Sequence, residues 1–241
     1  MKVAVDLHIH TALSPCADND MTPNNIVNMA YLKGLDVIAI TDHNCVENYE
    51  AVASCAKEKG IIAVPGMELE TREEVHLVCL FPNQEAALKM QKFVFRALPE
   101  LENRTDIFGQ QLVMDQEDNV TGEIKRLLVT AADIGIDEAF AKVEELNGVV
   151  IPAHVDRSSN SVISNLGIIP DYLDINYIEI SNMCNYEELK KKYLSIGEYI
   201  YIRSSDAHYL WDILERECFI EVMDLSIAGL IETLKIKGRA K

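Results

Sequence analysis

Short apolar, β-branched runs alternate along the chain with stretches whose apolar residues recur every three or four positions, the pattern of repeated strand–helix units. The runs predict strands over residues 3–10, 37–40, 61–64, 75–81, 149–153, 177–180 and 199–202. Thr22-Pro23 starts a helix as N-cap and first helical residue, and Gly34 stops it. Ile26, Val27, Met29, Ala30 and Leu32 supply its apolar positions. Further helices are predicted over 48–59, closed by Gly60, and over 137–146, closed by Asn147-Gly148. Two more are predicted over 186–194 and 225–236. Seven strands with helical crossovers predict an α/β fold, a parallel barrel or strongly curved sheet, in one domain over 1–241.

One stretch breaks the rhythm. Residues 83–130 hold a helical pattern, then Asn103-Arg104-Thr105-Asp106, then a polar run over 115–122, too long for an ordinary strand–helix loop. This insertion after the fourth strand is expected to be a lid over the site or an excursion along the barrel wall. Internal repeats, low-complexity tracts and domain-separating Pro/Gly/Ser linkers are absent from the sequence.

Composition narrows the chemistry. Hydrophobic residues at 49% and charged residues at 25% can fill a substantial core. The apolar runs all fall short of the roughly 20 residues that span a bilayer. Asp6 arrives before a signal-peptide core can form, so a cytoplasmic location is expected. The balance of 22 Lys+Arg against 39 Asp+Glu, a net −17, disfavours stable binding of long nucleic acids but not of a phosphate held by metal ions. Cys16, Cys45, Cys55, Cys79, Cys184 and Cys218 contain no CxxC pair and are expected to be reduced, mostly buried thiols.

All six histidines lie on or just beyond a predicted strand: His8, His10, His43, His76, His154 and His208. One such residue is ordinary core or surface; six of six point to the rim where strand ends converge, and imidazoles beside carboxylates suit transition-metal dications. His8 and His10 are two apart on a strand and share a face. His76 opens its strand, so it reaches the same rim only if that strand is short or antiparallel. Glu68, Asp206 and Asp18 are placed to join the imidazoles, and a carboxylate can bridge two cations where a neutral imidazole cannot. Asp6, Asp42 and Glu70 are assigned supporting roles, orienting a ligand histidine or capping a helix.

Asp6-Leu7-His8-Ile9-His10-Thr11, Ile40-Thr41-Asp42-His43, Pro65-Gly66-Met67-Glu68, His76, His154 and Ser205-Asp206-Ala207-His208, in that order, resemble the PHP (polymerase and histidinol phosphatase) family, in particular its small stand-alone phosphoesterase branch. The resemblance implies a distorted (βα)7 TIM-like barrel with three divalent ions, Zn, Mn or Fe, at the strand C-termini. His8, His10, Glu68 and Asp206 would hold the first ion. Glu68 would bridge to a second completed by His76 and His154, and Asp18, His43 and His208 would hold the third. Spacing to Thr22-Pro23 favours Asp18 over Asp20 as the loop ligand, where several branches carry a histidine. Glu68, Asp206 and His208 are the residues expected to carry catalysis. A water shared by two cations about 3.5–4 Å apart has its pKa lowered toward neutrality, and a third cation offsets charge on the phosphoryl group.

The expected activity is metal-dependent hydrolysis of phosphate esters on nucleotides or short oligonucleotide ends, as in 3′,5′-nucleotide bisphosphate phosphatases or 5′–3′ exonucleases. Arg157 can fork onto a substrate phosphate or pair with Asp156 or another rim acid. Arg104 is a weaker candidate for that role. Trp211 is expected in the core, with Tyr209 and Trp211 stacking on a base as the alternative. Histidinol-phosphate hydrolysis and a non-catalytic metal-loaded or redox-sensing module remain the competing readings.

Overall fold

The computed structural model describes residues 1–236. β1 (Lys2–Ile9), α1 (Pro23–Leu32), β2 (Val37–Ile40), α2 (Tyr49–Lys59) and β3 (Ile62–Glu70) form two consecutive strand–helix–strand units, with β1, β2 and β3 parallel. Thr22 caps α1 by accepting the Asn25 N–H, and Gly60 closes α2 in the left-handed region at φ 70°. β1 carries one more residue than β2 between Asp6 and Ile9, a β-bulge. Val3, Val5 and Leu7 pack in a single apolar cluster; past the bulge, His8 and His10 are the next side chains on that face.

β3 is longer than the 61–64 run predicts because it changes partner at Pro65-Gly66. It pairs with β2 as far as Pro65, then from Gly66 onward with β4 (His76–Leu80). β4 runs antiparallel to β3, so the expected all-parallel repetition breaks here and the two strands form a hairpin. Only glycine fits at Gly66: a Cβ there would lie 2.7 Å from Thr41 Cγ2 and 2.9 Å from Leu80 Cδ2.

The long excursion follows: α3 (Gln84–Ala97), α4 (Thr105–Phe108) and an antiparallel hairpin of β5 (Leu112–Met114) and β6 (Val120–Glu123). Its backbone is fastened to the body. Leu112 N–H donates to Ala12 O at 2.8 Å, and Asn48 Nδ2 donates to Leu112 O while its Oδ1 accepts Met114 N–H.

α5 (Ile136–Glu145) leads into β7 (Val149–Pro152), which pairs antiparallel with β4. After α6 (Val162–Leu166), β8 (Tyr177–Ser181) and β9 (Ile200–Ser204) flank α7 (Tyr186–Lys192) and pair in parallel. β10 (Phe219–Glu221) joins β1 antiparallel, and α8 (Ile227–Lys235) ends the described chain. The main sheet runs β10-β1-β2-β3-β4-β7, and hydrogen bonds beyond the strand ends curl it around. Val155 N–H reaches Glu179 O, and Ala207 bridges His8 and His10 through its backbone. Leu230, Ile231 and Leu234 of α8 pack among strand residues from β1, β2, β3, β4, β7 and β9 in one buried cluster. No helix among the described residues is long and apolar enough to cross a membrane.

Candidate metal centre

The curled sheet delivers the predicted side chains to one end. His8 ends β1 with His10 just beyond it, His43 follows β2, Glu68 lies inside β3, His154 follows β7, and Asp206 and His208 follow β9. His76 opens β4 opposite Glu70, so the antiparallel direction of β4 brings a strand start to the same end as the other strands' C-termini. His8 and His10 are fully buried, and His43, Glu68, His76 and His154 are nearly so. His154 and Asp206 have φ of 31° and 51°, in the left-handed region where non-glycine residues are strained and which collects at functional sites.

Glu68 is the hub. Its Oε1 lies 2.8 Å from His76 Nδ1, 3.2 Å from His154 Nε2 and 3.3 Å from His8 Nε2. Its Oε2 lies 3.0 Å from His43 Nδ1 and 3.3 Å from His10 Nε2. Asp206 Oδ1 approaches His10 Nε2 at 3.0 Å and His8 Nε2 at 3.3 Å. Among the described residues, three sets of ligand atoms, each within 4.8 Å of one another, can hold a metal ion: His8, His10, Glu68 and Asp206; His43, Glu68 and His76; and His10, His43 and His208.

Partners behind the rings fix which nitrogen faces the centre. Asp42 Oδ1 accepts the Ser14 hydroxyl at 2.7 Å, so the Ser14 oxygen is left to accept from His10 Nδ1 at 2.9 Å, presenting Nε2 inward. His8 Nδ1 donates to Glu179 at 3.0 Å, with the same result. Glu179 also accepts the His154 N–H at 3.1 Å. Asp6 accepts the N–H groups of Ser205 and Leu214, which anchors the segment carrying Asp206 and His208.

The charges of this pocket are strongly coupled. Burial alone would lower the His8 and His10 imidazoles, but Glu179, Glu68 and Asp206 carry His8 well above its ordinary value. Asp206 and Glu68 raise His10 to about 9. Burial opposes ionisation of Glu68, yet His76, His8 and His43 hold its carboxyl well below the usual range, and His8 and His10 do the same for Asp206. Burial, with His10 nearby, drops His43 to about 4 and His208 to about 3.

Among the described residues, four buried ligand-type atoms have no hydrogen-bond partner: His43 Nδ1, Glu68 Oε2, His76 Nε2 and His154 Nδ1. His43 Nδ1 and Glu68 Oε2 stand 3.0 Å apart without hydrogen-bond alignment. Orphaned polar atoms at this depth are costly, and cations are their natural partners. The donor set, imidazole and carboxylate around a shared Glu68, therefore fits transition-metal dications.

Residues 6–155, more than half of the chain, match the family model described as PHP domain. The chain belongs to the PHP domain family. It is 34% identical over 95 residues to a 5′–3′ exoribonuclease of Haemophilus influenzae, covering 36% of this chain and 34% of that protein. It is 32% identical over 79 residues to a 3′,5′-nucleoside bisphosphate phosphatase of Chromobacterium violaceum, covering 32% and 27%. The fold is similar to the lesion-specific endonuclease PfuEndoQ of Pyrococcus furiosus, with TM-score 0.67 and 19% identity over 98% of this chain and 56% of that one. The chain thus matches about a third of the first curated relative and just over half of that structural neighbour.

Of the other sequence-predicted residues in this PHP domain, Asp18 lies on the rim with its N–H on His208 O. Its carboxylate accepts the Asp20 N–H and stands outside the three grouped ligand sets. Arg157 pairs with Asp206 Oδ2 at 2.6 Å, not with Asp156. Arg104 pairs with Asp106 on the exposed surface, turned to its own loop. Trp211 corrects the core expectation: it is 69% exposed and stacks on Tyr209 with centroids 4.9 Å apart, because it sits in a short 3-10 turn (Leu210–Asp212) on the rim. Cys45, Cys55 and Cys79 are buried and Cys184 and Cys218 partly so. Cys16 is exposed, with Sγ 3.1 Å from His208 Nε2.

Glu179, Ser14 and Cys16 are the site residues that sequence reasoning passed over. Glu179 had a signal, an acid flanked by Ile178 and Ile180 in the middle of a short strand. Ser14 and Cys16 sit in a loop whose path only the fold defines.

Proposed function

We propose that this PHP domain is a metal-dependent phosphoesterase acting on nucleotide phosphates or short oligonucleotide ends. One observation carries the reading: six imidazoles from five segments converge on Glu68 and Asp206, leaving buried ligand atoms without partners. His8, His10, Glu68 and Asp206 would hold one ion, Glu68 with His76 and His154 a second, and His43, His208 and Asp18 a third. Asp18 is preferred to Asp20 because its backbone is fastened to His208. Bound divalent ions would supply Lewis acidity toward a phosphoryl oxygen and make water a competent nucleophile near neutral pH. Glu68 and Asp206 orient the ligand rings, the Glu179 and Ser14–Asp42 contacts lock their tautomers, and Arg157 offers a guanidinium to a phosphate oxygen.

The barrel reading is of seven strands, β1 to β4 with β7, β8 and β9, distorted by the reversed β4 and open where β8 and β9 meet the main sheet. Residues 83–130 form a fixed wall rather than a hinged lid, a reading supported by their hydrogen bonds to Ala12 and Asn48. Tyr209 and Trp211, exposed just after His208, offer a stacking surface for a base. The acid-rich chain suits a small or short-ended substrate, and a cytoplasmic setting is consistent with that chemistry. Metal analysis together with a panel of phosphomonoesters, nucleotides and short oligonucleotides tests the proposal. Bound metal with hydrolysis of a nucleotide ester is expected; stoichiometric metal without turnover of any ester overturns it in favour of a non-catalytic module.

A further inference from the structure

On the rim of the metal centre, the loop after β1 turns a thiol toward the last of the clustered histidines. Cys16 Sγ lies 3.1 Å from His208 Nε2. The other ring nitrogen settles what that contact is. His208 Nδ1 stands 2.8 Å from the backbone oxygen of Asp206, which can only accept, so Nδ1 carries the proton and Nε2 holds the lone pair. In the metal-free protein the thiol therefore donates to Nε2. This is the tautomer of a histidine that binds metal through Nε2, and the sulfur stands in front of that lone pair. Zn–S and Zn–N bonds are about 2.3 Å and about 2.0–2.1 Å, so donors 3.1 Å apart can both reach one ion.

The loop holds this arrangement in place. Ala17 N–H donates to Ser14 O across Cys16, Asp18 N–H donates to His208 O at 2.9 Å, and the Ser14 hydroxyl donates to Asp42. Gly109 runs so close to Pro15 O that a side chain there would clash. A second observation points to a cation. The ligand atoms of His10, His43 and His208 lie within 4.8 Å of one another, and His43, 4% exposed, has Nδ1 without a hydrogen-bond partner. That set is imidazole only. Glu68 and Asp206 fall in the other two sets, and the Asp18 carboxylate accepts the Asp20 N–H outside all three. Three neutral rings leave a dication's charge uncompensated, and the Cys16 thiolate is an anion within reach of His208.

We propose that Cys16 is a ligand of the third ion, coordinating through its thiolate beside His43 and His208, and that it makes this position selective for thiophilic dications such as Zn, Fe or Co over Mn or Mg. The proposal rests on the metal-dependent reading above and adds a sulfur donor to a set in which the resemblance implies only imidazole and carboxylate. On binding, the S–H bond breaks and its proton leaves to solvent, the sulfur electron pair forms the bond to the metal, and His208 Nε2 exchanges its hydrogen bond for a bond to the same ion. Thiolate is a soft ligand that favours Zn and Fe, whereas oxygen donors alone suit Mg and Mn.

The test loads metal-free protein with Co(II) and reads the near-ultraviolet thiolate-to-cobalt charge-transfer band in the wild type, Cys16→Ser and the control Cys184→Ser. Cys16 is exposed, so its substitution removes no core packing. The band is expected in the wild type and in Cys184→Ser, and is lost in Cys16→Ser. Competition between Zn and Mn gives a second readout. Cys16→Ser should lower the protein's preference for Zn by at least about tenfold, since losing a direct donor costs no less than losing an outer partner. Cobalt bound by the wild type without the band, or a band unchanged in Cys16→Ser, overturns the ligand, and an unchanged Zn preference overturns the selectivity. If the band appears but no ester is hydrolysed, the phosphoesterase reading fails while Cys16 keeps its place; if no cobalt binds, both fall.

Discussion

Glu68 touches five of the six histidines, so it is the residue whose chemistry the centre tolerates least. Glu68→Gln keeps the shape, removes the charge and replaces one accepting oxygen by a donor facing ring nitrogens. Bound metal and ester hydrolysis are expected to fall by more than the roughly 10–100-fold typical of losing an outer partner. Metal content by elemental analysis and turnover at saturating metal check this; wild-type values for both would remove Glu68 from the centre. Glu179 is such an outer partner, holding His8 Nδ1 and the His154 N–H together. Glu179→Gln should weaken metal affinity by roughly 10–100-fold in a chelator competition, with smaller effects on kcat. Unaltered affinity would mean that packing alone orients His8. The gathering of these side chains at one end of the sheet was legible in the sequence, because imidazoles after apolar runs are conspicuous and chemistry restricts what they can do. Asp18 was less legible: a loop aspartate two residues from Asp20 is located by backbone geometry, and here Oδ1 of its carboxylate accepts the Asp20 N–H.

At the level of elements, the centre depends on two irregularities that hydrophobic periodicity does not encode. The bulge in β1 carries the His8–His10 pair onto the face lined earlier by Val5 and Leu7, and the partner change of β3 at Pro65-Gly66 lets Glu68 enter from within a strand. Periodicity identifies 75–81 as a strand but carries no direction, so the reversal of β4 that seats His76 was open until the pairing was known. β5 and β10 have three residues each and β6 is exposed and polar, so none gives an alternating pattern long enough to read. Gly66→Ala forces a methyl against Thr41 and Leu80, and overpacking of this kind costs about 1–3 kcal/mol. Urea unfolding should show that loss, and metal affinity should fall with it because Glu68 is two residues on. A variant of full stability would show that β2 and β4 can part at this point. Asn48→Ala strips hydrogen-bond partners from Leu112 O and Met114 N–H, with an expected loss of about 1–3 kcal/mol and faster amide exchange across β5 and β6. Exchange already fast in the wild type would instead favour a hinged lid over a fixed wall.

For the molecule as a whole, the metal-free centre is a buried knot of opposite charges, and its titration sets how stability follows pH with and without metal. His10 titrates near 9 in the folded protein against an ordinary 6.5, and His8 and His76 are also raised. The stabilisation these groups give is fully present below about pH 6.5 and is lost as pH rises through about 9. His43 and His208, lowered to about 4 and 3, act in another window: the folded state gains from them as pH rises toward 6.5 and is then flat. Glu68 and Asp206 are depressed, so their contribution disappears only in acid. Between pH 6.5 and 9, then, this centre makes the metal-free protein progressively less stable. Metal binding needs neutral imidazoles and displaces their protons, so affinity rises over the same interval. The gap in Tm between metal-loaded and metal-free protein should therefore widen from pH 6.5 to 9. Near pH 7.5, metal uptake should release protons, measured by calorimetry in buffers of different ionisation enthalpy, and that release should shrink above pH 9. Parallel Tm curves, or binding enthalpies independent of buffer at pH 7.5, would mean that these imidazoles are already neutral and that the carboxylates do not govern them.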